Sequence, residues 1–121
     1  MYDHVGVAVQ DLDASIRFYS AALAPLGYGL VSQDASGAGF GPPGAPALWL
    51  LPASGAGRAA VHVGFTAPDR GAVDRFHAAG VAAGGRDHGP AGTRPDYGPT
   101  YYAAFLLDPD GNNVEAVCLQ S

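Results

Sequence analysis

Two histidines occupy matching places in two similar stretches, His4-Val5-Gly6-Val7 and His62-Val63-Gly64-Phe65, and the sole glutamate, Glu115, lies in the apolar run Val114-Glu115-Ala116-Val117. A lone carboxylate in a strand-like apolar segment needs a cation, a hydrogen-bond donor or a metal to offset its desolvation. Two imidazoles and one carboxylate form the donor set that holds a divalent transition metal on one face and leaves other positions open. The plainer alternative is that duplication copied a packing histidine into both halves. The coincidence of the pair with the only glutamate makes His4, His62 and Glu115 the candidate metal ligands, with Glu115 also the candidate proton carrier. His77 and His88 read as surface groups, and the single cysteine, Cys118, as a small core hydrophobe.

The elements that must position these groups repeat at an offset of 58 residues. At that spacing Asp11 meets Asp69, Arg17-Phe18 meets Arg75-Phe76, Ala21 meets Ala79 and Gly27 meets Gly85, which is agreement through a strand, a turn and a helix. Asp11 and Asp69 stand where a helix N-cap is expected. Leu12, Ile16, Tyr19 and Leu23 then recur at helical spacing, as Val73, Phe76 and Val81 do more loosely, with Gly27 and Gly80 as expected stops. Short segments bounded by glycine and proline follow, at Gly29 to Asp34, Gly39-Phe40, Ala47 to Leu51, Tyr101 to Leu107 and Asn113 to Leu119, and read as strands. The result is an α+β domain of two tandem βαβββ modules, about 1–57 and 58–121. In the opening strands Val5, Val7 and Val9 share one face, and His4, Gly6 and Ala8 the other. The histidine face is too sparsely filled to pack and is expected to border a cavity.

A chain of 121 residues, 48% hydrophobic and 14% charged, is large enough for one core and too short for two. No apolar run reaches membrane-spanning length, and the first residues lack a basic start followed by an apolar stretch, so a cytoplasmic location is expected. The net charge of −5, the absence of lysine and six scattered arginines argue against nucleic acid and anionic membranes as partners. They suit a neutral or cationic small molecule.

The stretches His4-Val5-Gly6-Val7-Ala8-Val9 with Asp11-Leu12, Phe18-Tyr19 to Leu23 ending in Gly27, His62-Val63, and above all Asp108-Pro109-Asp110-Gly111-Asn112-Asn113-Val114-Glu115 carry a family resemblance. The chain resembles the vicinal oxygen chelate proteins, the glyoxalase, bleomycin-resistance and extradiol-dioxygenase superfamily. The resemblance implies a curved mixed sheet, or half-barrel, with helices outside. It also implies a divalent ion (Fe²⁺, Mn²⁺, Ni²⁺ or Zn²⁺) held by His4, His62 and Glu115, and a small-molecule substrate that chelates it through adjacent oxygens. A homodimer is implied as well, in some relatives with modules exchanged so that each site draws on two chains. Trp49 falls where glyoxalase I enzymes usually carry a fourth ligand, and tryptophan cannot ligate a metal. Phe105 stands where dioxygenases usually have tyrosine, and the missing lysine departs from the phosphonate-binding transferases. Glyoxalase-like or dioxygenase-like chemistry is the first reading. The second is a metal-free, bleomycin-resistance-like protein that binds and sequesters a small molecule.

The Gly-, Pro- and Tyr-rich stretch from Arg86 to Tyr102 is expected to be a loop able to fold over the cavity. Within it Arg94, Tyr97, Tyr101 and Tyr102 would suit an anionic or aromatic substrate, or else belong to an ordinary surface loop. Trp49 and Phe40 either line the pocket or fill the core.

Overall fold

The computed structural model describes residues 1–53 and 61–121, so the expected junction of the modules near residues 57 and 58 lies outside the described residues. The first module contains β1 (Val5–Val9), α1 (Leu12–Leu23), β2 (Gly29–Asp34), β3 (Gly37–Gly41) and β4 (Leu48–Pro52). The second contains β5 (His62–Thr66), α2 (Arg70–Ala82), β6 (Arg86–Thr93), β7 (Tyr102–Leu107) and β8 (Asn113–Cys118). Both are βαβββ units of an α+β fold. Each makes a four-stranded sheet, in the orders β1-β4-β3-β2 and β5-β8-β7-β6. The first strand of each module runs parallel to the last, and the other pairings are antiparallel.

Local chemistry sets the helices. Asp11 Oδ1 accepts from Ala14 N at 3.1 Å, and Asp69 Oδ1 from Ala72 N at 2.7 Å, satisfying amides that the first helical turn leaves without partners. A short 3-10 turn, Ala24–Leu26, follows α1 and is closed by Gly27 at φ 92°. Gly80 is not the stop expected for α2, which continues to Ala82 with left-handed Gly84 just beyond. A Cβ on Gly80 would collide with Leu106 Cδ1 and press on Phe18 at 3.3 Å, so this glycine lets α1, α2 and the second sheet approach closely.

The strands form two four-stranded mixed sheets, one from each module, and the helices pack on each other as well as on their own sheets. A single core results, containing Val7, Val9, Phe18, Tyr19, Leu23 and Leu50 from the first module with Val73, Phe76, Leu106 and Val114 from the second. The β7–β8 turn locks this arrangement. Asp108, almost fully buried, accepts from Asp110 N (2.9 Å), Asn112 N (2.8 Å), Asn112 Nδ2 (2.9 Å) and the Tyr19 phenol of α1 (2.6 Å). Burial first, then the nearby Asp108 carboxylate, pushes the Tyr19 phenol far above its ordinary range. Asp110 Oδ1 accepts from Gln10 N at 3.0 Å, and Asn112 Oδ1 from Val61 N at 3.0 Å. The motif that most strongly marks the family resemblance thus ties the second module to the first.

The segment read as a covering loop is also different. Residues Arg86–Thr93 form β6, an edge strand antiparallel to β7 with irregular register around Gly89. Proline and glycine hide such a strand from pattern reading because they are tolerated at edges and bulges. Among the described residues no helix is long and apolar enough to cross a membrane.

Candidate functional site

Strand alternation distributes the candidate residues. In β5, His62, Gly64 and Thr66 are exposed, while Val63 and Phe65 pack partly against the core. The parallel register sets His62 beside Asn113 and Gly64 beside Glu115. Glu115 is 6% exposed. A Cβ on Gly64 would come within 3.4 Å of Glu115 Cγ, so glycine at this position leaves the carboxylate uncrowded as it reaches toward His62.

The contacts of that pair define the site. His62 Nε2 lies 2.8 Å from Glu115 Oε1, and His62 Nδ1 lies 3.0 Å from the Asn113 carbonyl oxygen. A carbonyl oxygen only accepts, so Nδ1 carries the proton of a neutral ring and Nε2 presents its lone pair. The Glu115 oxygen facing that lone pair then requires a positive partner: a proton shared by the two groups, or a metal cation bound to both. Two ligands at adjacent corners of an octahedron with bonds near 2.1 Å stand about 3 Å apart, so the pair fits a shared ion. A backbone carbonyl holding the remote nitrogen is the usual support for a ligating imidazole.

Tyr101 donates its phenol to Glu115 Oε2 at 2.7 Å and fixes the carboxylate from the other side. Burial first, and this hydrogen bond second, push the phenol up to about 12. The folded protein therefore holds this proton more tightly than an unfolded tyrosine with a pKa of about 10. The associated stability is complete below about pH 10 and is lost as pH rises toward 12. Urea melts from about pH 9 to 12 are expected to show wild type losing stability relative to Tyr101→Phe over that interval.

The other residues divide cleanly. Phe105 stacks on His62 with ring centres 6.4 Å apart, and Tyr97 packs edge-on to Tyr101 at 5.2 Å. Arg94 lies over Phe105 on the same side of the sheet. Tyr102, one residue after Tyr101, is turned to the α2 side of β7, where its phenol donates to Asp74 at 2.6 Å and Arg70 covers its ring. The expected grouping of Tyr102 with the other substrate-facing residues therefore does not hold in this structure, because period-two alternation separates neighbours. His88 lies on β6, and His77 Nε2 lies 2.8 Å from Asp87 Oδ1. Hydrogen bonding from Gly89 N, then from His77, holds the Asp87 carboxyl below its usual range.

Trp49 belongs to the first sheet, and His4 stands one residue ahead of its strand β1. His4 Nδ1 is 2.7 Å from Asp3 Oδ1, and His4 borders a cavity of about 440 Å³ that also takes in Val5, Phe40, Leu48, Val63 and Phe65. Trp49 is half-buried on β4 beside Gly6 and Gly39. Phe40 is 1% exposed with its ring 6.1 Å from that of Tyr19, so it fills the core while its edge reaches the cavity. Among the described residues no group of three or more His, Cys, Asp or Glu side chains gathers closely enough to hold a metal. One chain thus brings together His62 and Glu115, and keeps His4 apart from them.

Paired βαβββ modules, each with its own four-stranded mixed sheet, define a class of small α+β protein. The chain belongs to the Glyoxalase/Bleomycin resistance protein/Dioxygenase superfamily, whose family model matches residues 2–116. A glyoxalase/bleomycin resistance protein from Albidiferax ferrireducens T118 is 35% identical, with a TM-score of 0.82 over 97% of both chains. A glyoxalase-related enzyme from Fulvimarina pelagi is 20% identical, with a TM-score of 0.74 over 97% of this chain and 86% of the other. Lactoylglutathione lyase from Agrobacterium tumefaciens is 21% identical, with a TM-score of 0.70 over 97% of this chain and 92% of the other; these last two likenesses are of fold. No curated protein matches the chain.

Proposed function

We propose that the protein is a metal-dependent enzyme of this superfamily, acting on a small molecule that chelates a divalent ion (Fe²⁺, Mn²⁺, Ni²⁺ or Zn²⁺) through adjacent oxygens. The observation that carries the reading is the His62 Nε2 to Glu115 Oε1 contact of 2.8 Å, with Nδ1 held by a carbonyl and Oε2 by a phenol. Two donors are poor tenure for a metal. The third is His4 of a second copy: β1 and β5 are the edges of their sheets, and Leu51 and Val61 next to those edges are exposed apolar residues. A homodimer that sets the first sheet of one chain against the second sheet of the other closes the expected half-barrel and completes the ligand set.

When bound, the ion supplies a Lewis acid that polarises the substrate's adjacent oxygens. The chain's own groups do the rest. Asn113 O orients the His62 ring, Tyr101 orients Glu115, and the Glu115 carboxylate is placed to take a proton from bound substrate and return it. Phe105 stacks on the His62 ring, and Tyr97 packs against Tyr101, which holds Glu115. Protein purified without chelator is expected to carry metal at about one ion per chain by elemental analysis, and His62→Ala to lose it. An unchanged metal content in the variant would refute the reading.

A second reading has one specific support: an imidazolium form of His62 satisfies Glu115 with no ion at all, and Tyr101 completes its partners. The site would then be the wall of a metal-free binding protein. Ligand-induced stabilisation that survives chelation distinguishes it.

A further inference from the structure

Beside the His62–Glu115 pair, the second sheet sinks into a cavity of about 280 Å³ walled by His88, Gly89, Arg94, Tyr97, Phe105 and Asn113. Its cation is positioned by the fold. Arg94 Nη2 donates to Pro90 O at 2.6 Å, and the guanidinium carbon lies 5.4 Å from the centre of the Phe105 ring. Phe105 is in turn stacked on His62, and Tyr97 is braced by Tyr101. Among the described residues no carboxylate forms an ion pair with Arg94. A planar guanidinium has five donors in a rigid fork that matches a carboxylate, and backbone oxygens occupy only part of that capacity here. Asn113 and His88 complete the wall with an amide and an imidazole. The acidic total charge favours cationic ligands at long range, yet this cavity presents a cation over the Phe105 ring.

We propose that the cavity is a subsite for a small aromatic carboxylate, its acid group held by Arg94 and its ring set against Phe105 and Tyr97, with the rest of the molecule extending toward His62 and Glu115. The orientation rests on the functional reading above; binding at the subsite needs no metal. A space of this size admits a single substituted ring.

Benzoate and its neutral isostere benzamide, titrated by calorimetry or ligand-observed NMR into the full chain kept in chelator, test the idea. Benzoate is expected to bind about tenfold or more tightly than benzamide. Arg94→Gln should erase that preference, Arg94→Lys should keep part of it, and Arg17→Gln, on the exposed side of α1, should leave it unchanged. Equal binding of the two probes, an unchanged preference in Arg94→Gln, or no binding of either up to about 10 mM would each overturn the proposal. Failure of the metal reading appears instead in metal content, which these titrations in chelator do not involve.

Discussion

Mixed dimers of His4→Ala and Glu115→Gln chains are expected to bind metal that neither variant binds alone. In each variant every site lacks one donor, and affinity should fall on the order of 100-fold or more, since even supporting partners of metal ligands are worth about 10- to 100-fold. In the mixed dimer the Glu115→Gln chain supplies an intact His4, while the His4→Ala chain supplies intact His62 and Glu115. One site is whole and the other lacks both groups. Two differently tagged chains, co-expressed and purified through both tags, should therefore hold about one ion per dimer, against about two for wild type. The basis is the separation of His4, paired with Asp3 just ahead of β1, from the His62–Glu115 pair on the second sheet. If the mixed dimer stays empty, the ligands are not shared between chains; if His4→Ala keeps its metal, His4 is not a ligand.

Asp108→Ala is expected to cost the fold more than any change on the open sheet faces, about 3 to 4 kcal/mol by urea denaturation. The carboxylate accepts four hydrogen bonds, and its loss strands the Tyr19 hydroxyl and the Asn112 amides in a dry core and takes the partner from half-buried Asp110 N. Asp108→Asn should be milder, because its oxygen still accepts from the turn amides while its NH₂ opposes the Asn112 side-chain amide. Tyr19→Phe should be milder again, because the carboxylate keeps its three partners in the turn. A cost for Asp108→Ala no greater than that of Tyr19→Phe would mean that the turn is held by something else.

These expectations draw unequally on sequence and on tertiary structure. The helix starts at Asp11 and Asp69 and the division of β1 and β5 into two faces were legible because caps and two-residue alternation are local. The same alternation separates Tyr101 from Tyr102, which composition alone had grouped together. Strand β6 was not legible, since its glycines and proline suppress the pattern and its order comes from pairing with β7. Gly80 looked like a stop because a helical glycine has no visible reason for being there until Leu106 and Phe18 are seen against it.

By itself the sequence determined the duplicated βαβββ plan, the two helix caps, and a histidine at the start of each module, His62 within β5 and His4 just before β1, all properties of a few neighbouring residues. Only the tertiary structure decided that the two sheets stay separate in one chain, that Asp108 binds the modules together, and that His62 reaches Glu115 while His4 lies apart. The physical reason is that packing free energy depends on which surfaces meet across long loops. Two identical local patterns carry no information about whether they close on each other or on a second copy.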